Sequence, residues 1–428
     1  MVDEVEKDSP GVGAGRKNPR VTFAAYTHIL RIPQARNALL LGLLIRTPMW
    51  AGSIILTLHV VTTLGHSYSA AGLLTTSTTI ALAVSAPWRG RLLDVRGLRR
   101  TVLPQVVVLA VVWSIAPWVG YALLLPLAFV GGLFVVPTFS IVRQVLITSV
   151  EERYRTAALS LDSFATELTL MVGPVLGVLA ATYADTRWAL FGFEMLTVLG
   201  GLLVWALNPP LLREDEQDTD TVGLRSWVSP LVLAILAASA ASTVVLTGTD
   251  LGIVAALRSM GHPESIGWVL AIWGLGSAVG ALVYGALHRA VPVFLLLALL
   301  SATTLPVVLA DNRFTLTVLL FVAGFFCAPT ITATIDHLSR VVPPRARGEV
   351  MGWHGSSLTI GSALGAPIAG VAIDRGGWEA GFLVTALVGL AVAVAGLVAV
   401  SRRRAAVPLG EAPEAATAPA PAPTPADV

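Results

Sequence analysis

The distribution of apolar residues along the chain predicts a membrane protein that crosses the bilayer many times. Apolar runs of about 20 residues recur through most of the sequence, and a helix needs about 20 such residues to cross roughly 30 Å of hydrocarbon. The sequence lacks the alternation of a transmembrane β-barrel, and lipid offers the backbone no hydrogen-bonding partners, so we expect each run to be a helix. Twelve spans are predicted, at about 37–62, 68–87, 101–118, 121–143, 158–182, 187–207, 230–254, 266–287, 291–309, 314–336, 350–373 and 379–400.

Composition and motif content narrow the class of protein. Hydrophobic residues make up 55% of the 428 residues and charged residues only 13%, whereas a soluble domain carries about 25% charged residues. The single cysteine, Cys327, excludes a disulfide framework or a thiolate metal cluster. The sequence contains no Walker lysine motif, zinc-binding His-Glu-x-x-His motif or nucleophile elbow. We therefore expect a monomer in the lipid bilayer that is not an enzyme and binds no cofactor, metal or nucleic acid.

The basic residues predict the orientation of the chain. If the N-terminus is cytosolic, the predicted inside segments hold 23 of the 28 lysines and arginines, the outside loops hold four, and Arg46 lies within a span. This bias follows the positive-inside rule and indicates that both termini are cytosolic. Only Lys7 and Lys17 are lysines, a usage that favours a GC-rich bacterial source and hence the bacterial inner membrane.

Charge and composition also divide the chain into segments. The acid-rich stretch 208–229 is the longest predicted inside loop, and it separates a six-helix bundle at 37–207 from a second one at 230–400. Residues 1–36 form a predicted cytosolic tail, and residues 401–428, rich in proline and alanine, are predicted to be disordered. The expected fold is therefore an all-α integral membrane protein of two six-helix bundles.

The two predicted bundles carry matching sequence features. Arg155, at the start of the fifth span, and Arg347, at the start of the eleventh, are each followed by a glycine 18 residues later. Further echoes in the same order are Gly65 with Gly261, Gly72 with Gly267, Gly90 with Gly285, and Trp188 with Trp378. Their order and spacing indicate a duplication, and repeated six-helix halves are an architecture of secondary transporters. The bundles are therefore predicted to be pseudo-symmetric.

The stretch "PWRGRLLDVRGLRR" (87–100), between the second and third predicted spans, concentrates five arginines around one aspartate. Positive charge explains why this turn stays inside, but it does not explain the aspartate and the two glycines. "GRLLDVRGLRR" resembles the loop signature of the major facilitator superfamily, Gly-x-x-x-Asp-(Arg/Lys)-x-Gly-Arg-Arg, with Val95 in place of a basic residue. The matching residues are Gly90, Asp94, Gly97, Arg99 and Arg100.

The resemblance implies a major facilitator fold and a role for each part of the motif. Gly90 would let the second span approach a neighbour closely, and Asp94 would face the start of the eleventh span near residues 347–349, where helix-end amides favour a carboxylate. The arginines would complete a cytosolic clamp between the halves, which must break during alternating access. The second half keeps Gly285 but has Arg289 where Asp94 would fall, so the implied clamp is one-sided.

A second, partial motif lies in the fifth span. "GPVLG" resembles the Gly-Pro-x-x-Gly-Gly element of proton-driven exporters in the same superfamily, with Gly173, Pro174 and Gly177 matching and Val178 replacing the last glycine. Thr169, Gly173 and Gly177 also form a stripe of small residues at helical spacing, which suits close helix packing. An exporter-specific role and ordinary packing are both open interpretations.

Charged residues inside predicted spans are candidate functional residues, because an ionised side chain at mid-membrane costs about 2.5–3.5 kcal/mol. Glu167 lies well inside the fifth span, and we expect it to face the central cavity and take up a proton. The alternative is a permanently paired or neutral carboxyl group that only supports the structure.

Two polar stripes at helical spacing lie in the first and seventh spans. The first comprises Arg46, Trp50, Ser53 and Thr57, and the second comprises Ser239, Thr243, Thr247 and Asp250. Arg46 is a candidate for the substrate pathway, or else it extends to the cytosolic surface. Asp250, nearer the outer end, either takes part in proton coupling or is an outer-rim residue in water.

The function expected from these features is secondary active transport by alternating access, in the form of proton-coupled export of small, largely apolar molecules. Since no ATP-binding motif occurs, the gradient of protons or of another ion remains as the energy source. One alternative is a proton-coupled importer of a nutrient. Another is a membrane receptor that keeps the fold without transporting.

Overall fold

The computed structural model describes residues 24–212, 227–287 and 291–405, and all regular secondary structure within these ranges is helical. The α-helices are Ala24–Arg31 (α1), Pro33–Leu58 (α2), Tyr68–Arg96 (α3), Leu98–Ile115 (α4), Tyr121–Leu133 (α5), Thr138–Ser149 (α6), Arg155–Tyr183 (α7), Thr186–Leu207 (α8), Pro230–Ser259 (α9), Ile266–Ala286 (α10), Val293–Thr304 (α11), Arg313–Gly324 (α12), Cys327–Val341 (α13) and Arg347–Ala405 (α14). The predictions for the first 23 residues, the centre of the middle loop, Arg289 and the tail after residue 405 lie outside the described residues.

Ten helical segments in the described ranges are long and apolar enough to cross a membrane. The longest, Pro344–Ala399, exceeds the length of one span and leaves helical geometry at Gly376 and Gly377. Gly377 has a φ of 78°, a left-handed conformation that favours glycine. A shorter apolar segment, Val293–Leu309, lies between two of the ten. The chain is therefore a multi-pass membrane protein.

Almost all of the arginine-rich stretch 87–100 is helical, whereas the sequence placed it as a turn between the second and third predicted spans. α3 continues to Arg96, and α4 begins at Leu98. Gly97 makes the turn between them with a φ of 74°, in the region where glycine is favoured over residues with a Cβ. The charges of this stretch are thus held in fixed positions on two helices.

Other predicted boundaries also shift. The first span begins at Pro33, inside the predicted tail, and it is preceded by the separate helix α1. A break after α5 places Arg143 within α6, although the sequence suggested a span ending there. α14 continues to Ala405, so residues 401–405 are helical rather than part of a disordered tail.

Two seams join the part of the chain before the middle loop (the N-half, 24–212) to the part after it (the C-half, 227–405). In the first seam α3 packs against α14, and in the second seam α7 packs against α10. Within the halves, α7 and α8 pack on α2, and α9 packs on α14. The end of the molecule at which α3 meets α4 is called the arginine-rich end below.

The two halves are sealed together at the arginine-rich end. The hydrogen bonds that join described residues of the two halves lie between this end and the middle of the seams. A cluster of buried apolar side chains from both halves lies there as well, including Ile147, Leu159, Ile335, Leu338 and Val350. The structure is therefore a conformation closed at the arginine-rich end.

Matched positions in the two halves share their local geometry. Gly65 and Gly261 both have left-handed φ values, of 67° and 76°, in the turns before α3 and α10. Three-residue 3-10 turns, Glu152–Tyr154 and Pro344–Ala346, precede α7 and α14 respectively. The sequence echoes therefore coincide with conformational echoes at these positions.

Candidate functional site

Asp94 connects the halves across the first seam. Its Oδ1 accepts a hydrogen bond from the backbone N–H of Gly348 at 2.9 Å, and its Oδ2 accepts one from the N–H of Glu349 at 2.7 Å. Both N–H groups belong to the first turn of α14, where backbone donors lack partners within the helix and the helix dipole favours negative charge. The carboxylate thus docks the end of α3 on the start of α14.

The absence of side chains at two glycines allows this contact. A Cβ on Gly90 would lie only 2.6 Å from the carbonyl carbon of Gly348, and one on Gly348 would meet the carbonyl oxygen of Gly90 at 2.6 Å. Real Cβ atoms do not approach other atoms so closely, so any larger residue at either position would separate α3 from α14.

The arginines of the stretch 87–100 do not all contact the C-half. Arg91 reaches across the first seam to Glu349, with Nη1 and Oε1 3.9 Å apart. Arg99 instead donates at 3.4 Å to backbone carbonyls at the end of α8, and its guanidinium lies over the ring of Trp205. Arg100 is exposed. The role in an inter-half clamp that the resemblance implies is therefore wrong for Arg99. This residue instead stabilises the C-terminus of α8 inside the N-half.

A second network at the arginine-rich end links α7 to the C-half. Asp336 accepts a hydrogen bond from the Thr156 hydroxyl at 2.9 Å, and it pairs with Arg340 on its own helix at 3.0 Å. Arg340 also pairs with Glu152 of the N-half at 2.8 Å. This network was not predicted from the sequence.

Arg46 lies in a buried charge triad rather than at the surface, so the surface alternative is wrong. Its guanidinium donates to Asp162 Oδ1 at 2.6 Å and to the Thr166 hydroxyl at 2.9 Å. Asp162 Oδ2 accepts from Arg143 Nε at 3.3 Å, and both guanidinium groups lie near the ring of Phe139. Arg46 and Asp162 are each only 1% exposed. Two buried cations thus share one carboxylate.

Sequence reasoning missed two members of this triad, although it contained a usable signal. Asp162 lies inside the fifth predicted span, so the cost of an intramembrane charge that singled out Glu167 applies to it equally. Arg143 was counted as a surface charge because the predicted span ended at that residue. Its helical position could not be found without knowing of the break after α5.

Glu167 reaches the C-half across the second seam. Its Oε1 accepts a hydrogen bond from the Ser277 hydroxyl at 2.7 Å, and that hydroxyl accepts the N–H of Ala328 at 3.2 Å. Asp250 of α9 lies close enough to interact electrostatically with Glu167, and Cys327 lies near both. Neither carboxylate has an ion-pair partner among the described residues. Carboxyl groups from opposite halves thus lie within electrostatic range of each other, with Glu167 midway along α7 and the exposed Asp250 about two-thirds of the way along α9.

Other residues of the two polar stripes are exposed or form hydrogen bonds within their own halves. The Thr243 hydroxyl donates to a backbone carbonyl of α14 at 2.9 Å, and Thr247 shares a hydrogen bond with Ser362 at the same distance. Both therefore bind α9 to α14 within the C-half. Ser53 is exposed, and the Thr57 hydroxyl donates to the Ser53 carbonyl of its own helix.

The small residues of the fifth span pack inside the N-half. A Cβ on Gly173 would lie 2.6 Å from the Cβ of Trp50, and a Cβ on Gly177 would lie 2.6 Å from the carbonyl oxygen of Ala51. Pro174 is half-buried between them in α7. This geometry is that of close packing between α2 and α7.

The chain belongs to the major facilitator superfamily, since the family model matches residues 38–257 and 227–425. It is therefore a membrane transporter rather than an enzyme, and members of this family are secondary transporters. Among curated proteins, the ascochitine biosynthesis cluster MFS transporter of Didymella fabae is 26% identical over 163 residues. That match covers 37% of this chain and 30% of the relative's length.

Solved structures show the same fold. A bacterial homologue of the iron transporter ferroportin, in an outward-facing state, matches with a TM-score of 0.71 and 15% identity over 86% of this chain and 100% of that one. The human organic anion transporter TETRAN gives a TM-score of 0.68 and 17% identity, covering 85% and 99% of the two chains. The fucose:proton symporter of E. coli gives 0.64 and 14%, covering 84% and 98%.

Proposed function

We propose that this transporter is proton-coupled and exports small, largely apolar molecules from a bacterial cytosol by alternating access. The observation that carries the proposal is Glu167, a carboxyl group midway along α7 that has no cationic partner among the described residues and is hydrogen-bonded across the second seam. Isolated charge is costly at this depth, so protonation of Glu167 and its exposure to water are coupled. Rocking of the halves would change that exposure, because Ser277 belongs to the other half.

The architecture proposed is twelve spans in two pseudo-symmetric bundles with both termini in the cytosol. Dividing the last long segment at Gly376–Gly377 and adding Val293–Leu309 brings the ten segments to twelve. The overlapping family matches and the matched turns of the two halves favour a duplication. The positive-inside rule favours a cytosolic arginine-rich end. In this orientation, in a bacterial inner membrane, the present conformation faces outward.

The buried triad would serve the transport pathway from a position nearer to the arginine-rich end than Glu167. Arg46 Nε and Nη2 are buried and lack hydrogen-bond partners within the described residues, and the triad carries one more positive than negative charge. These free donors favour a role in binding an anionic group or in tuning the proton affinity of the site. They also give specific support to the second candidate function, proton-coupled import of an anionic nutrient.

The decisive experiment uses the full chain in proteoliposomes with an imposed pH gradient and a panel of dyes, antibiotics and sugars. We expect Glu167→Gln to abolish gradient-driven flux while substrate exchange without a gradient continues, because the amide cannot carry the proton. The matched control is Glu151→Gln, which alters an exposed carboxylate paired with Arg153.

The outcomes separate the candidates. Gradient-driven flux that is unchanged in Glu167→Gln would remove this residue from the mechanism. Accumulation of one polar solute in the direction of proton flow would indicate an importer. If no compound of the panel moves while binding persists, a receptor without transport becomes the better description.

A further inference from the structure

The two seams are built alike but closed differently at the arginine-rich end. The first seam has Gly90 for close approach and Asp94 as its carboxylate. The second seam has Gly285 at the matching position, but the sequence places Arg289 where the second carboxylate would stand. Arg289 lies outside the described residues, and among those described the close approach at Gly285 is made to Tyr26 and Ser160.

That partner comes from α1, the short helix before the first span. The Tyr26 hydroxyl donates a hydrogen bond to the backbone carbonyl of Leu282, near the end of α10, at 2.5 Å. A Cβ on Gly285 would overlap this hydroxyl and would lie 2.5 Å from the Cβ of Ser160 on α7. Gly285 thus leaves the space in which Tyr26 and Ser160 meet the C-half.

The body of α1 is fixed to the N-half. Ile29 is fully buried in the core of that half, and the ring of His28 packs against the ring of Tyr154 with centroids 4.7 Å apart. Tyr26 itself is buried, and burial raises the pKa of its hydroxyl above the ordinary value, so it stays a donor at physiological pH. α1 is therefore anchored in the N-half and contacts the C-half through the Tyr26–Leu282 hydrogen bond.

We propose that α1 is a latch on the second seam, in which Tyr26 holds the arginine-rich end closed as Asp94 does on the first seam. Opening of this end separates α7 from α10, so the Tyr26–Leu282 hydrogen bond must break each time. Loss of that bond should therefore shift the molecule toward the conformation that is open at the arginine-rich end.

The test measures how often this end opens, by alkylation of a buried cysteine. The background is Cys327→Ser, and the reporters are Ser160→Cys in the second seam and Val350→Cys in the inter-half cluster. The Ser160 hydroxyl has no hydrogen-bond partner among the described residues, so this reporter removes no hydrogen bond of that hydroxyl. Slow alkylation of a buried thiol reports the population of the open form.

We expect Tyr26→Phe to accelerate alkylation of both reporters about fivefold, which corresponds to about 1 kcal/mol, the contribution of one hydrogen bond. The matched control is Tyr121→Phe, which removes a tyrosine-to-carbonyl bond of 2.9 Å to Ala70 within the N-half. It should leave both rates unchanged. Monodisperse elution of each variant shows that it is folded.

Three results would overturn the latch. These are unchanged rates in Tyr26→Phe, an equal rise in Tyr121→Phe, and faster alkylation of the Ser160 reporter alone, which would mean local loosening of α1. The assay needs neither substrate nor gradient, so its outcome is independent of the proposed proton coupling.

Discussion

Replacing Asp94 with asparagine should open the arginine-rich end, and the structure sets the size of the effect. The carboxylate accepts two backbone hydrogen bonds, at 2.9 and 2.7 Å, from the positive end of α14. Asparagine keeps one carbonyl acceptor but loses the charge and the second acceptor. A hydrogen bond to a charged group contributes about 1.5–3 kcal/mol, so the closed conformation should lose about that much, a shift of about 10- to 150-fold.

The assay for this prediction is alkylation of the Ser160→Cys reporter, which lies in the second seam, on α7 rather than on the helices that Asp94 joins. The matched control is Asp185→Asn, which changes a carboxylate that accepts the N–H of Arg187 at the start of α8, within a single half. Asparagine caps helices about as well as aspartate, so this control should change neither stability nor labelling. Labelling of Asp94→Asn at the rate of the control would refute the reasoning that this contact holds the halves together.

Two further substitutions test the packing and the buried charges. Gly90→Ala should disfavour the closed conformation by about 1–3 kcal/mol, because its methyl group would overlap the carbonyl at the start of α14. Faster labelling of the same reporter would show this, whereas Gly72→Ala, which faces open space, should have no effect. Asp162→Asn should destabilise the fold by about 3–5 kcal/mol, because two buried guanidinium groups would lose their counter-charge. A melting temperature equal to that of Asp311→Asn, an exposed site, would contradict this expectation.

The sequence alone was sufficient to predict features that depend on local pattern. Apolar runs located the membrane helices because the thickness of the bilayer sets their length. From the loop signature we expected Asp94 to face the start of α14, and its two hydrogen bonds lie there. This was possible because the motif and the start of the target helix can both be recognised in the sequence. The matching glycines Gly65 and Gly261 lie in turns of the same conformation. A left-handed φ is a requirement on a single residue, so the sequence can indicate it.

The sequence was weaker for features that depend on distant partners. Arg46 and Asp162 are 116 positions apart, and no local pattern joins them. Tyr26 and Leu282 are 256 positions apart, and α1 has only eight residues, too few for a clear periodic signal. Arg99 was assigned to the clamp by analogy, but its partners are backbone carbonyls, which every residue has and no sequence marks.

The docking of Asp94 on peptide N–H groups has a consequence for how this gate tolerates change. Every residue except proline supplies the same donor, so the side chain at position 349 can vary without altering what Asp94 recognises. The donors of this surface are therefore set by helical geometry, while Gly348 is required for its lack of a side chain. Substitutions during evolution could change the charges around this contact, for example at Arg91 and Glu349. The two halves would still meet in the same register, because Asp94 binds backbone N–H groups.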